Sequence, residues 1–366
     1  MTRILYVMHI SWGWIKQRPQ FIAEEMARYC QVDVLYRKSN RRIENINPVI
    51  NDGNLSVKGF RNWPFERIQF VPCSISHQIN KVIWRSKGID LNSYDYIWIT
   101  DPVLWWTIKG HFVQGKTKLI YDCMDDLLAF PYMDAYPKFK HFNEKREQEL
   151  IKDADYVLCS AKALEEKLVM RYNIQRIYHI INNAITDNIM HYSEIIEDID
   201  IPSYSLVYIG TISEWFDFEN TLKVLDEYPK LKIILYGPKR LPEIPTHDRL
   251  IFRGPTPHEN ILAIMKKSMG LIMPFKVNDL IESVNPVKLY EYIYSGKPVL
   301  ATRYGETLPF EKYINLYSSL EEYKHFVNGC LNNTHKISAK EMKEFAIQNT
   351  WKNRVCQIKE TIGIYE

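Results

Sequence analysis

Lys288 and Glu291 stand three residues apart in the string Glu282–Thr302, ESVNPVKLYEYIYSGKPVLAT. Asn285-Pro286 closes a loop and opens a helix, with proline at a favourable first-turn position. On that helix, residues three apart share a side. A helix amino end presents free N–H groups and a positive dipole end, which suits a phosphate. Lys288 adds a point charge for a diphosphate. Glu291 can accept both hydroxyls of a ribose, and Glu282, Ser283 and Asn285 line the approach. The plainer reading of any one such helix is a capped amphipathic segment whose Lys and Glu are solvated. Three strand ends add to the nucleotide reading, Gly210-Thr211 for the phosphate. Gly210-Thr211 follows SLVYIG, Gly237 follows KIILY, and Arg253-Gly254 ends LIFRG. Glycine lets backbone N–H groups approach a phosphate, although a lone glycine at a strand end is commonplace.

A second constellation lies in Tyr121–Phe130, YDCMDDLLAF. Asp122, Asp125 and Asp126 fall just past the carboxyl end of an expected strand. Crowded carboxylates raise one another's pKa, which suits a general base. Asp125 is the first choice, with Asp126 next. Structurally, Asp126 could simply cap the next helix and Asp122 could be an exposed turn residue. The loop His9-Ile10-Ser11-Trp12-Gly13-Trp14 and the following Arg18 are candidates for holding an acceptor. Trp12 and Trp14 suit sugar stacking, Arg18 a phosphate, and His9 is a weaker base candidate. Tryptophans packed between domains would explain that loop equally well. Lys58, Arg61, Trp63, Arg67, Lys81, Trp84, Arg85 and Lys87, against Glu66 alone, form a basic and aromatic stretch suited to anionic lipid headgroups. A solvated face with buried tryptophans is the alternative.

These groups need a scaffold. Arg3–His9, Val32–Tyr36, Tyr96–Thr100, Lys118–Tyr121 and Tyr156–Ser160 read as strands separated by helices. The pattern restarts with Ser205–Gly210, Lys232–Tyr236, Leu250–Phe252, Gly270–Met273 and Pro298–Ala301. Helices are expected near Phe218–Tyr228, Glu259–Lys267 and Val287–Ser295. Such alternation predicts α/β architecture with two doubly wound, Rossmann-like parallel-sheet domains facing a central cleft. The expected boundaries are 1–187 for an acceptor domain, 188–203 for an acidic linker, 204–345 for a donor domain and 346–366 for a final helix.

A chain of 366 residues suits two such domains. With 46% hydrophobic and 25% charged residues it reads as globular, not disordered. A net charge of +3 gives no argument for nucleic acid. The six cysteines show no CxxC pairing, which reads as a reduced cytosolic chain without structural zinc. No apolar run approaches the ~18–20 residues that span a bilayer, so membrane contact would be peripheral.

The full Glu282–Thr302 string resembles the donor-binding helix of GT-B glycosyltransferases, in which a carboxylate eight residues ahead of a helical Glu leads into a G-K-P-V strand. The resemblance spans the chain, and Thr350–Val355 (TWKNRV) looks like the last helix of that fold, which crosses back to the first domain. It implies a hexosyl-transferring enzyme that uses a nucleoside diphosphate sugar, UDP-sugar favoured, as substrate and needs no cofactor. It also implies that the Arg253 strand end carries the nucleotide base, and that Asp125 stands where related folds place a catalytic-region His. The sequence departs from the retaining, family 4 pattern. Ser283 occupies the position eight before Glu291, Glu282 is one residue out of register, and no Arg or Lys follows Gly210 before Lys223. SVNPVKLYEY is closer to inverting enzymes of bacterial exopolysaccharide assembly, such as the xanthan glucuronosyltransferase, and to teichuronic-acid-type transferases. The expectation is therefore inverting, metal-independent transfer to a cell-surface glycan or polyprenyl-diphosphate-linked acceptor, at the inner face of the cytoplasmic membrane. A nucleotide-sugar epimerase of the same fold and a catalytically idle nucleotide-binding subunit are the alternatives.

Overall fold

The protein is described by a computed structural model covering residues 1–13, 16–38, 50–61, 73–109, 115–335 and 337–365. It divides into two compact units, Met1–Asn182 with Arg354–Glu366, and Asn183–Asn353.

The first unit is built on β1 (Arg3–Met8), β2 (Gln31–Arg37), β3 (Ile50–Asp52), β4 (Leu55–Phe60), β5 (Tyr96–Ile99), β6 (Lys118–Cys123), β7 (Tyr156–Cys159) and β8 (Tyr178–Ile180). They form one sheet in the order β3-β4-β2-β1-β5-β6-β7-β8. All neighbours pair in parallel except β3 with β4. The strands expected from the sequence leave out β3, β4 and β8. β3 and β8 are three-residue edge strands, and β4, LSVKGF, carries little of the apolar run marking a strand buried on both faces. Leu5, Val7, Ile97, Ile99, Leu119, Tyr121 and Val157 pack into one core face.

The second unit holds β9 (Ser205–Ile209), β10 (Lys232–Tyr236), β11 (Leu250–Gly254), β12 (Gly270–Met273), β13 (Val299–Thr302) and β14 (Asn315–Tyr317), in the order β11-β10-β9-β12-β13-β14. Every pairing is parallel. Alternate residues face opposite cores, as the two-residue period of a strand requires. Val207, Ile209, Ile234 and Leu271 enter one cluster, and Leu206, Tyr208, Ile233 and Ile272 enter the other. The strand order reverses between β9 and β12, so their carboxyl ends flank a switch point, the usual ligand position in such sheets.

The chain passes from the first unit to the second at Asn182/Asn183 and returns at Asn353/Arg354. Residues 188–203, expected to be a linker, count with the second unit. Lys267 Nζ donates to the carbonyls of Ile196 (2.7 Å) and Ile199 (2.6 Å), and Lys266 pairs with Glu194, so this segment is strapped to the Ile261–Lys267 helix. The final helix, Trp351–Ile362, begins in the second unit and ends in the first. There Tyr96 Oη donates to the Ile362 carbonyl (2.9 Å), and the Lys359 ammonium lies over the Tyr29 ring.

Candidate functional site

The Val287–Ser295 helix begins after Pro286, which serves as its N-cap. No side chain caps this amino end. Leu289, Tyr290, Tyr292 and Ile293 bury its inner face, and Gly296 ends it in a left-handed turn at φ +69°. Tyr292 fixes the helix under β9: the Ile209 N–H donates to Tyr292 Oη at 2.7 Å. On the outer side, Lys288 Nζ donates to Glu291 Oε2 at 2.6 Å. Glu291 is buried, and its other oxygen, Oε1, lies 3.0 Å from His258 Nε2. Burial alone would raise the Glu291 pKa. The Lys288 charge and the His258 hydrogen bond outweigh it and hold the carboxyl at about 2. Glu291 is thus an ionised, oriented acceptor, and Lys288 is a partly exposed cation one turn away.

The loop before this helix is built for rigidity. The Asn183 N–H donates to Asn285 Oδ1 (3.0 Å), and Asn183 Nδ2 donates to the Asn285 carbonyl (2.7 Å). Tyr290 Oη reaches the same Asn285 oxygen at 3.3 Å. Ser283 is buried, and its hydroxyl donates to the Leu280 carbonyl. Both side chains, expected at the donor, are engaged in hydrogen bonds that shape this loop. Glu282 is exposed.

Three glycines meet at the carboxyl ends of adjacent strands. The Gly210 N–H donates to the Tyr236 carbonyl (2.9 Å), and the Gly237 N–H donates to the Gly254 carbonyl (2.8 Å). Gly237 adopts φ +138°, and a Cβ there would sit 1.9 Å from the Gly210 carbonyl oxygen. Only glycine allows this approach. The Thr211 carbonyl accepts from Tyr208 Oη at 2.8 Å, closing the turn after β9. Phe252 and Arg253 are exposed at the end of β11.

In the first unit the three aspartates separate sharply. Asp122 is fully buried. Arg18 Nε and Nη2 donate to its Oδ1 at 3.0 and 2.8 Å, while Arg18 Nη1 donates to the Ile181 carbonyl at 2.6 Å. Asp126 caps the Leu127–Ala129 turn, and both its oxygens accept from Arg171 Nη2, at 3.0 and 2.8 Å. Arg171 also meets Glu147, whose carboxylate accepts from Tyr121 Oη and Tyr172 Oη. Asp122, expected as a base candidate, and Arg18, expected at a phosphate, are instead found paired with each other in the core. Asp126, second choice for the base, is likewise tied into a structural pair. Asp125 is half-buried, and among the described residues its carboxylate makes no hydrogen bond or ion pair. Burial, reinforced by Asp126 and Asp122 against the opposing Arg18, raises its pKa to about 7.

His9 Nδ1 and Thr100 Oγ1 lie 2.9 Å apart, and burial lowers the His9 pKa despite nearby Asp101. His9 follows β1 and Asp125 follows β6, on the same edge of the sheet. Trp12 is half-buried, while Trp14 lies outside the described residues. Of the basic and aromatic stretch, Trp63, Glu66 and Arg67 also lie outside them. Trp84 is buried in the core, so its expected place on a binding surface is corrected.

No protein-family model matches the chain. It is 25% identical over 285 residues, 71% of this chain and 72% of the relative, to a Bacillus subtilis (strain 168) protein named as a teichuronic acid biosynthesis glycosyltransferase, TuaH. Among solved structures it superposes on a sucrose-phosphate synthase from Thermosynechococcus elongatus with TM-score 0.76 and 12% identity, covering 99% of this chain and 98% of that one. HepE of Anabaena in complex with UDP and glucose matches at TM-score 0.67 and 15% identity, with both chains fully covered. The fold is that of a GT-B glycosyltransferase. The chain shares this fold with those structures, and its sequence relative is named as a glycosyltransferase.

Within the second unit the structure brings together Lys288, Glu291 and the helix amino end, and gathers Gly210, Thr211 and Gly237 at the carboxyl ends of β9 and β10. It adds His258, and behind it Tyr192, whose Oη lies 2.9 Å from His258 Nδ1. Neither is among the residues expected from the sequence. The available signal was position: His258 follows the β11 strand end within TPHEN, just ahead of a helix. Tyr192 carried none, since it sits in a segment with no period.

Proposed function

We propose that the protein moves a sugar from a nucleoside diphosphate sugar, a UDP-sugar, to a cell-surface glycan or a lipid-linked oligosaccharide, inverting the anomeric centre without a metal. The observation that carries this reading is the Lys288–Glu291 pair at the front of a helix whose amino end no side chain caps. Glu291 accepts the ribose hydroxyls, Lys288 and the helix end meet the diphosphate, and the Gly210 turn approaches the phosphate through its backbone. Arg253, exposed at the end of β11, borders the base. Solved structures of HepE hold UDP and UDP-glucose, and TuaH is named for teichuronic acid biosynthesis; both support the donor class and the kind of acceptor.

The chemistry is one displacement. An acceptor hydroxyl oxygen bonds to the anomeric carbon as the bond from that carbon to the diphosphate oxygen breaks. The electron pair leaves with the nucleoside diphosphate, whose charge Lys288 and the helix dipole stabilise. The hydroxyl proton passes to a base, and Asp125, with its raised pKa and no partner among the described residues, fills that role. Glycosyltransferase and synthase names among the relatives do not favour the epimerase or idle-subunit alternatives. Lys288→Ala is expected to abolish the thermal shift produced by UDP; an unchanged shift would overturn the donor site.

A further inference from the structure

Glu291 does not act alone. Its Oε1 faces His258 Nε2 at 3.0 Å, and His258 Nδ1 faces Tyr192 Oη at 2.9 Å. A carboxylate only accepts, so His258 Nε2 donates to Glu291, and its Nδ1 is engaged by the tyrosine hydroxyl. The Tyr192 and His258 rings also meet edge to face, with centroids 5.5 Å apart at 77°. The imidazole is therefore fixed in orientation. Its position is built from two directions. The loop after β11 supplies His258, and the 188–203 segment, strapped down through Lys266 and Lys267, supplies Tyr192. Lys288 holds the other oxygen of Glu291. Each carboxylate oxygen keeps one acceptor position, enough for two adjacent hydroxyls. His258 is the most exposed member of this chain of contacts, at 40% of its side chain, so its ring edge is available to a ligand seated on Glu291.

We propose that Tyr192 and His258 are positioning residues for the pentose subsite, aiming Glu291 at a vicinal diol so that the enzyme selects ribonucleotides over 2′-deoxyribonucleotides. This rests on the donor-site reading given above. A carboxylate held from one side only could rotate and accept a single hydroxyl. Held from both sides, it presents two acceptor positions at once, and a missing 2′-hydroxyl leaves one of them unsatisfied.

The test is titration calorimetry of the full chain with UDP, GDP and the 2′-deoxy form of each, together with donor KM and kcat. Wild type is expected to prefer the ribonucleotide by about tenfold or more. His258→Ala should weaken the ribonucleotide by about tenfold, leave the 2′-deoxy form nearly unchanged and raise donor KM more than it lowers kcat. Tyr192→Phe should act in the same direction but less, and His258→Gln, whose amide can still donate to Glu291, should keep most of the preference. Equal weakening of both nucleotide forms would show a merely structural role and overturn the proposal, as would unchanged binding of both. Should His258→Ala fail to fold, the Tyr192→Phe and His258→Gln ratios decide it alone. Lys288→Ala separates the two levels. If it weakens UDP while the His258 and Tyr192 variants change nothing, only the positioning proposal fails; if it too changes nothing, the donor site fails with it.

Discussion

Asp125 owes its character to what its neighbours have already done. Arg18 neutralises Asp122 and Arg171 neutralises Asp126, so the carboxylate between them is left partnerless among the described residues, in a half-buried site. Its pKa of about 7 lies above the ordinary carboxylate value near 3.8. A base must be deprotonated, so transfer is expected to rise with pH through about 7 and to level off above it. Asp125→Asn should spare UDP binding and stop transfer; full activity in that variant would remove Asp125 from the mechanism. Stability moves the other way. The folded chain holds the Asp125 proton more tightly than the unfolded chain, so ionising this group destabilises the fold progressively from about pH 4 to about pH 7. Asp125→Asn removes that penalty, and its melting temperature should exceed that of wild type at pH 8 but match it near pH 4. The presence of three acids at one strand end was legible in YDCMDDLLAF. Which one stayed unpaired was not, because the deciding arginines lie 104 and 45 residues away in sequence.

The Arg18–Asp122 pair joins three elements: the Arg18–Met26 helix, the end of β6 and the carbonyl of Ile181 beyond β8. Both side chains are at least 98% buried, so removing one strands the other without solvent. Asp122→Ala is expected to cost about 3–5 kcal/mol in urea unfolding, and the double change Arg18→Met with Asp122→Leu should recover much of it. A single variant of wild-type stability would show the pair to be dispensable. The Val287–Ser295 helix is the opposite case. Its bounds, Val287–Ser295, match the expected ones because proline before it, glycine after it and an apolar stripe within it are all local signals. Tyr192 and His258, which reach Glu291 from other elements, carried no such local signal.

The chain assembles each unit around its own parallel sheet and crosses between them twice, at Asn182/Asn183 and at Asn353/Arg354. Among the described residues no helix is long and apolar enough to cross a membrane. We propose peripheral contact with an anionic membrane at its cytoplasmic side. On the Cys73–Arg85 helix, Ile75 and Val82 are 51% and 65% exposed and two turns apart, with Arg85 and Lys87 exposed beside them. The protein should co-sediment with phosphatidylserine vesicles at low salt, and Val82→Glu should reduce this at least several-fold; binding indifferent to that change would place any contact elsewhere.

The sequence by itself determined the strands of both sheets that are buried on both faces, the Val287–Ser295 helix and the glycines that follow β9 and β10. Each follows from a period of two, from a period of 3.6, or from the steric freedom of one residue. Tertiary structure decided which charges cancel and which remain. It buried Arg18 against Asp122, tied Asp126 to Arg171, left Asp125 alone among the described residues and brought Tyr192 through His258 to Glu291. Local periodicity specifies which face of an element is buried, but the partner a buried charge finds depends on which distant element the packing places beside it.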